Sequence, residues 1–261
     1  MLRIILDIYR DPLVNMAVDE AIFRYRGNVD YDTIRIYMWR PSGVSIGKSQ
    51  DIHETLYLDC IERYGYIPVI RPTGGGALLH MEGGEVTYSV VLGRENPIYN
   101  FDIQRSSIEI AKGVYNALYR LGVEAGLSGE YRSSGEPLCY FRRGSSDILI
   151  GGRKISGSAQ LRDGDALLQH GTLLLKVDPY IWSCVIRDVD PSRFRDKVVS
   201  LSDLDIDLPL SKVYMELVNG FIEVFGDEYF YGSLSSEEVE LVSKLLETKY
   251  IPFIEKIGFS R

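Results

Sequence analysis

Cysteine is scarce in this 261-residue chain: there are three, Cys60, Cys139 and Cys184, far apart and with no CxxC pair. An odd, scattered set speaks against a disulfide framework and a zinc site, and predicts the reducing cytosol as the compartment. No apolar run approaches the ~18 residues that would cross a bilayer. The first residues, MLRIILDIYRD, are too short a run and too soon charged for a signal peptide. No membrane partner is therefore expected. Basic charge is not in excess either. The formal net charge is −8, which argues against a general nucleic-acid binder but leaves room for a small anion in a local basic pocket. Neither a Walker A loop nor a GxGxxG dinucleotide fingerprint occurs.

What is present reads as an ordinary globular chain, 45% hydrophobic and 25% charged, long enough to bury a substantial core. Without repeats or a linker, it is expected to form a single domain, residues 1–261, with a strand-rich part over 1–177 and a helical part over 178–261. Arg3–Tyr9 predicts a first strand. Asp11-Pro12 follows as N-cap and first helical residue of NMAVDEAIFRYR. The adjacent Asp19-Glu20 pair on that helix is expected to be solvated or capping. Thr33–Arg40 alternates as a half-buried strand, with Val44–Gly47 as its hairpin partner. Ile52–Tyr64 predicts one helix, and Glu85–Leu92 a strand forming a hairpin around Met81–Gly84. Ile103–Leu121 has apolar residues at helical spacing and ends at Gly122. Residues 126–144 carry Gly, Ser, Arg and Pro without a period, as a functional loop does. A short strand at Asp147–Ile150, a turn at Gly151-Gly152 and strands through RKISGSAQLR and Ala166–Val177 follow. From Asp178 onward the pattern is helical.

The stretch Val69–His80, VIRPTGGGALLH, is the focus of the chain. Three consecutive glycines, Gly74, Gly75 and Gly76, cost conformational entropy and add no packing, so a backbone that closely approaches something, or adopts φ > 0, is expected there. Arg71 on the rim points to a carboxylate or phosphate ligand, with Thr73 and His80 flanking. A second cluster is GGRKISGSA, where Lys154 follows a turn and Ser156, Gly157, Ser158 and Ala159 leave space along a strand. A lysine there supplies a point charge for a phosphate or a developing oxyanion. A third cluster is His170-Gly171-Thr172. Each has a plainer reading too: a ligand-free turn, a surface lysine on a hairpin, a structural histidine.

Taken in order, RPTGGGALLH, EVTYSVV, SDIL, GRKISGSAQ and QHGTLLL resemble the lipoate–protein ligase and octanoyltransferase family, whose catalytic fold is shared with biotin–protein ligases. NMAVDEA, RIYMWRPSGVSIGKSQ and LLETKY are similar to family segments as well. The resemblance implies an α/β (mixed α+β) class II biotin/lipoate ligase-like domain: a mixed, largely antiparallel sheet flanked by helices. It implies that Gly74–Gly76 cover a lipoyl or octanoyl chain and its carboxyl end. Lys154 takes the place of the family's essential lysine, at the acyl carboxyl and the phosphate of an acyl-adenylate. Arg71, Thr73, His80, Ser156, Gly157, Ala159, His170, Gly171 and Thr172 become substrate-binding candidates. The family's Asn-Asp pair near nucleotide and magnesium falls on Ser146-Asp147, so only Asp147 remains as a nucleotide and Mg2+ candidate. Met81 stands where an aspartate usually follows the histidine, and Ile70-Arg71 where the family has two arginines.

Two branches are open. A ligase activates lipoate with ATP and Mg2+ and transfers it to a lysine of a lipoyl domain of the 2-oxoacid dehydrogenase E2 or glycine-cleavage H type. An octanoyltransferase takes octanoate from acyl carrier protein through a cysteine thioester. Cys139, fifteen residues before Lys154, suits that branch, and Arg142 and Arg143 would favour its thiolate. Gly76, where the cysteine branch commonly has arginine, and HGT at 170–172 lean towards the ligase. With no room for the ligases' extra C-terminal domain, a separate accessory subunit is expected in that reading. A non-catalytic lipoyl- or biotin-binding protein of the same fold is the third possibility.

Overall fold

The computed structural model describes residues 1–129, 141 and 144–259; Cys139, Arg142 and Arg143 lie outside them. The chain opens with β1 (Leu2–Arg10) and α1 (Pro12–Tyr25). The Asp11 carboxylate caps α1, accepting from the Leu13 amide, and Pro12 takes the first helical position as expected. Then come β2 (Asp32–Trp39), β3 (Gly43–Ile46), the short helices α2 (Ile52–Thr55) and α3 (Leu58–Arg63), β4 (Ile67–Ile70), β5 (Leu78–His80) and β6 (Glu85–Gly93). α4 (Ile103–Arg120), β7 (Gly126–Leu127), β8 (Ile148–Ile150), β9 (Arg153–Asp163) and β10 (Ala166–Leu174) complete the strand-rich part. The remainder is α5 (Pro179–Val185), α6 (Pro191–Lys197), α7 (Leu210–Phe225), β11 (Tyr229–Tyr231), α8 (Ser236–Leu245), a π-helical turn at Leu246–Tyr250, and α9 (Ile251–Lys256).

An eight-stranded mixed sheet runs in the order β11-β1-β2-β6-β10-β9-β8-β7. The β11–β1–β2 edge is parallel and every later pairing antiparallel. β6 and β10 are buried along their whole length, because helices cover both faces. Side chains alternate between two cores: Val90 and Leu167 join α4 and α7 on one face, Val91 and Leu168 join α1 and α8 on the other. Among the described residues no helix is long and apolar enough to cross a membrane.

Local sequence misled at several points. β3 is not the hairpin partner of β2. It is the centre of a second, three-stranded sheet, β4-β3-β5, parallel to β4 and antiparallel to β5. For the same reason β5 and β6 form no hairpin, and Met81–Gly84 carries the chain from one sheet to the other. The predicted helix over Ile52–Tyr64 breaks at Leu56, which is extended, buried and bridged to Ile186. Burial of that leucine against α5 outweighs continuation of the helix. The C-terminal part, read as wholly helical, supplies the edge strand β11. Finally, the expectation of unpaired thiols is overturned: Cys60 and Cys184 form a disulfide between α3 and α5, with Cα atoms 6.0 Å apart. A sequence separation of 124 hid that pair.

Candidate active site

The segment between β4 and β5 is the glycine loop, and its shape is set by Arg71. This side chain is buried, and its guanidinium donates to the Gly74 and Gly76 carbonyls at 3.1 and 2.7 Å. It also donates to the Ser45 carbonyl and hydroxyl at 3.2 and 2.6 Å. Gly75 has φ +96°, the left-handed region that favours glycine. Its carbonyl passes so close to Gly47 that a β-carbon there would lie 2.2 Å from it. The loop thus requires glycine at 47 and at 75, whereas a β-carbon at Gly74 would meet nothing within 4 Å.

Thr73 ties the loop to the large sheet. Its hydroxyl lies 2.7 Å from His170 Nε2 on β10, and His170 Nδ1 lies 3.2 Å from Asp19 Oδ2 on α1. The network assigns the proton to Nδ1, donated to the carboxylate, with Nε2 accepting from Thr73. Burial lowers the His170 pKa below its ordinary 6.5 and outweighs the opposing pull of Asp19, so the ring is neutral at pH 7. Asp19 also accepts from Arg35 at 2.8 Å, Tyr37 at 2.7 Å and Ser89 at 2.8 Å. Burial pushes its pKa up, but the His170 hydrogen bond and the Arg35 charge together hold it below the usual carboxylate value.

A parallel arrangement holds His80. Nδ1 lies 2.6 Å from Glu85 Oε1, and Nε2 lies 2.7 Å from the Ser45 hydroxyl that Arg71 also contacts. Trp39 stacks on the imidazole at 3.8 Å and donates to Thr87 at 2.7 Å. On β9, Lys154 Nζ lies 2.9 Å from Asp147 Oδ1, both side chains buried. Asp147 Oδ2 accepts from the Gly144 amide at 2.7 Å. Gly157 makes space for the lysine, since a β-carbon there would lie 2.3 Å from Lys154 Cε.

Arg71, His80, Trp39 and His170 face one cavity, about 400 Å³ of atom-free space with its mouth included. Paired strands supply Gly157, Ser158 and Ala159 from β9 and His170, Gly171 and Thr172 from β10. Met16, Tyr37, Trp39, Thr87 and Leu78 add walls, and Arg71 and His80 complete the lining. Of the residues singled out from sequence, Arg71, His80, Gly157, Ala159, His170, Gly171 and Thr172 line this space. Thr73 bonds to a lining residue and Lys154 packs against one. Gly74 and Gly76 are held through the Arg71 guanidinium, while Ser156 is buried next to the lining without being part of it. The site combines a narrow, mostly apolar slot with a buried ammonium–carboxylate pair, which suits an apolar tail with an activated carbonyl head. Among the described residues no three His, Cys, Asp or Glu side chains group as metal ligands.

Asp19 corrects the sequence reading: it is fully buried, not solvated, and Glu20 beside it is buried against Tyr250 and Lys249. Trp39, Tyr37 and Glu85 were not singled out either. The signal was available in β2, where Arg35 falls on the same inward face as Tyr37 and requires a buried counterion.

The family model described as Lipoyl protein ligase A/B catalytic domain matches residues 11–222. Octanoyltransferase LipM of Kyrpidia tusciae is 34% identical over 255 residues, 91% of either chain. Among solved structures, a lipoate-protein ligase A bound with ATP superposes with a TM-score of 0.82 at 28% identity, covering 95% of this chain and 94% of its own. A bi-partite lipoate protein ligase from Thermoplasma acidophilum, studied with its E2 lipoyl domain, gives 0.80 at 25% identity, covering 100% and 98%. By its sequence, its mixed sheet and the cavity built on it, the chain belongs to the lipoyl protein ligase A/B catalytic domain family.

Proposed function

We propose that this chain is an octanoyltransferase, moving octanoate from acyl carrier protein to the lysine of a lipoyl domain through Cys139. This reverses the order in which the sequence ranks the two branches. The observation that carries it is the end-to-end likeness to Octanoyltransferase LipM, 91% of both chains. In this reading the Cys139 thiolate attacks the thioester carbonyl, and the carrier thiol leaves and takes up a proton. The acceptor lysine, as free amine, then attacks the Cys139 acyl group, the thiolate departs and the new ammonium loses its proton. Lys154 stabilises the oxyanion of each tetrahedral intermediate, with Asp147 aiming its ammonium. The tail lies along β9 and β10 beneath the glycine loop. At ~3.3 Å per residue, Lys154 and Ala159 are separated by roughly 16 Å along β9, enough for an eight-carbon chain and its head.

The ligase remains the second reading, favoured by Gly76 and by the likeness to a ligase bound with ATP. Asp147 is the magnesium candidate that the resemblance gives. A triphosphate-bound magnesium needs as little as one carboxylate, so the residue type fits. ATP would supply activation as an acyl-adenylate, with Lys154 at the phosphate and a separate accessory subunit completing the enzyme.

Three donors offered side by side to a lipoyl domain test the choice: octanoyl-carrier protein, lipoate with ATP and Mg2+, and preformed lipoyl-adenylate. Transfer from the carrier alone is expected. Transfer only from lipoate or its adenylate assigns the ligase, and no transfer from any donor leaves a binding protein.

A further inference from the structure

We propose that Cys60 and Cys184 form a reversible thiol–disulfide exchange site for low-molecular-weight thiols, separate from the acyl transfer assigned to Cys139. The two cysteines are joined across 124 residues of sequence, and both line a groove on the protein surface. Cys60 is 6% exposed, while Cys184 is more open, so an incoming thiolate reaches the Cys184 sulfur. His53, Arg63 and Arg187 also line that groove, against one carboxylate, Asp59. Cationic surroundings favour the approach of an anionic thiol and the departure of Cys60 as a thiolate. The first thiol forms a mixed disulfide with Cys184 and releases the Cys60 thiolate. A second displaces Cys184. The balance is one protein disulfide and two small thiols converted to a protein dithiol and one small disulfide.

The backbone around the pair explains why it can open without unfolding. Leu56 bridges Ile186, the Tyr57 amide donates to the Val185 carbonyl at 3.0 Å, and the Arg187 amide donates to the Thr55 carbonyl at 2.9 Å. These contacts hold the two segments together whether or not the sulfurs are bonded. Both segments lead to the cavity. α3 runs into β4 and the Arg71 loop, and the chain beyond α5 and α6 reaches Val199, whose amide donates to the Lys154 carbonyl at 3.0 Å.

The test uses the full chain in native buffer at graded ratios of reduced to oxidised glutathione. Acid quenching, alkylation and peptide mapping read each cysteine separately, and thermal melts are run on the same samples. The Cys60 and Cys184 peptides are expected to gain label together as the ratio becomes reducing, with Tm falling by about 5–10 °C. Cys60→Ser and Cys184→Ser should melt like the reduced protein at every ratio. None of these readouts depends on acyl transfer, so they stand apart from the assignment of the reaction. A pair that opens only in denaturant, or that no ratio of oxidised glutathione closes, overturns the proposal.

Discussion

Replacing Lys154 by methionine separates two roles that one buried ammonium can play. Its Nζ is 2.9 Å from Asp147 Oδ1, and the two side chains are 5% and 2% exposed. Methionine keeps most of the stem but strands the carboxylate in the interior. Breaking one half of a buried pair costs about 3–5 kcal/mol. At about 2–4 °C per kcal/mol for a domain of this size, Tm should fall by roughly 10 °C. The double variant Lys154→Met/Asp147→Asn removes the stranded charge and should regain most of that loss. Acyl transfer should not return with it. Removing a preorganised donor to a developing oxyanion lowers kcat by about 10²–10³, and the double variant still lacks that donor. Melts and single-turnover transfer on the wild type, both single variants and the double variant give the answer. If stability and rate recover together in the double variant, Lys154 acts only as a structural counterion and the reasoning fails.

Three further outcomes are expected. Because burial depresses the His170 pKa below 6.5, the unfolded chain takes up that proton before the native state does. Stability from this group is thus complete above about pH 6.5 and declines as pH falls from there through the folded value. The Asp19 carboxyl, held below 3.8, contributes no slope in that range. Urea midpoints at pH 7 and pH 5 should therefore differ less in His170→Gln than in the wild type, and an equal difference would count against the assignment. Thr73→Val leaves His170 Nε2 buried without its 2.7 Å partner, costing about 1–3 kcal/mol in urea unfolding, whereas Thr73→Ser should be near neutral. In Gly157→Ala the new methyl falls 2.3 Å from Lys154 Cε, so the lysine must shift. A displacement of ~1 Å can cost 10²-fold in rate, so transfer should drop at least tenfold while the circular dichroism spectrum is retained.

The elements that were legible in the sequence are those whose pattern is local. Asp11-Pro12 marks the start of α1, the periodicity of Ile103–Leu121 gives α4, and the apolar runs at 85–92 and 166–177 give the two central strands. The failures share one cause, pairing with distant chain. β3 chooses β4 and β5 over its neighbour β2, Leu56 breaks a helix to meet Ile186, and β11 joins an edge strand some two hundred residues earlier. The site shows the same division. Gly74–Gly76, Lys154 and His170 stood out by residue type, and the resemblance placed them. Asp19 is hidden because adjacent acids on a helix look solvated, and its burial becomes tolerable through donors from three strands, Arg35 and Tyr37, Ser89, and His170. Residue type alone points to Arg71 as a ligand contact on the rim, yet the side chain is buried. Its guanidinium also serves as the brace of the glycine loop, a role that residue type alone does not reveal.

The central claim is an acyl chain carried on Cys139 and handed to a lipoyl lysine. Peptide mass spectrometry after mixing the protein with octanoyl-carrier protein, with no acceptor present, tests it most directly. An octanoyl group is expected on the peptide containing Cys139, disappearing when a lipoyl domain is added and reappearing on the acceptor lysine. An unmodified Cys139, with undiminished transfer by Cys139→Ala, would contradict it.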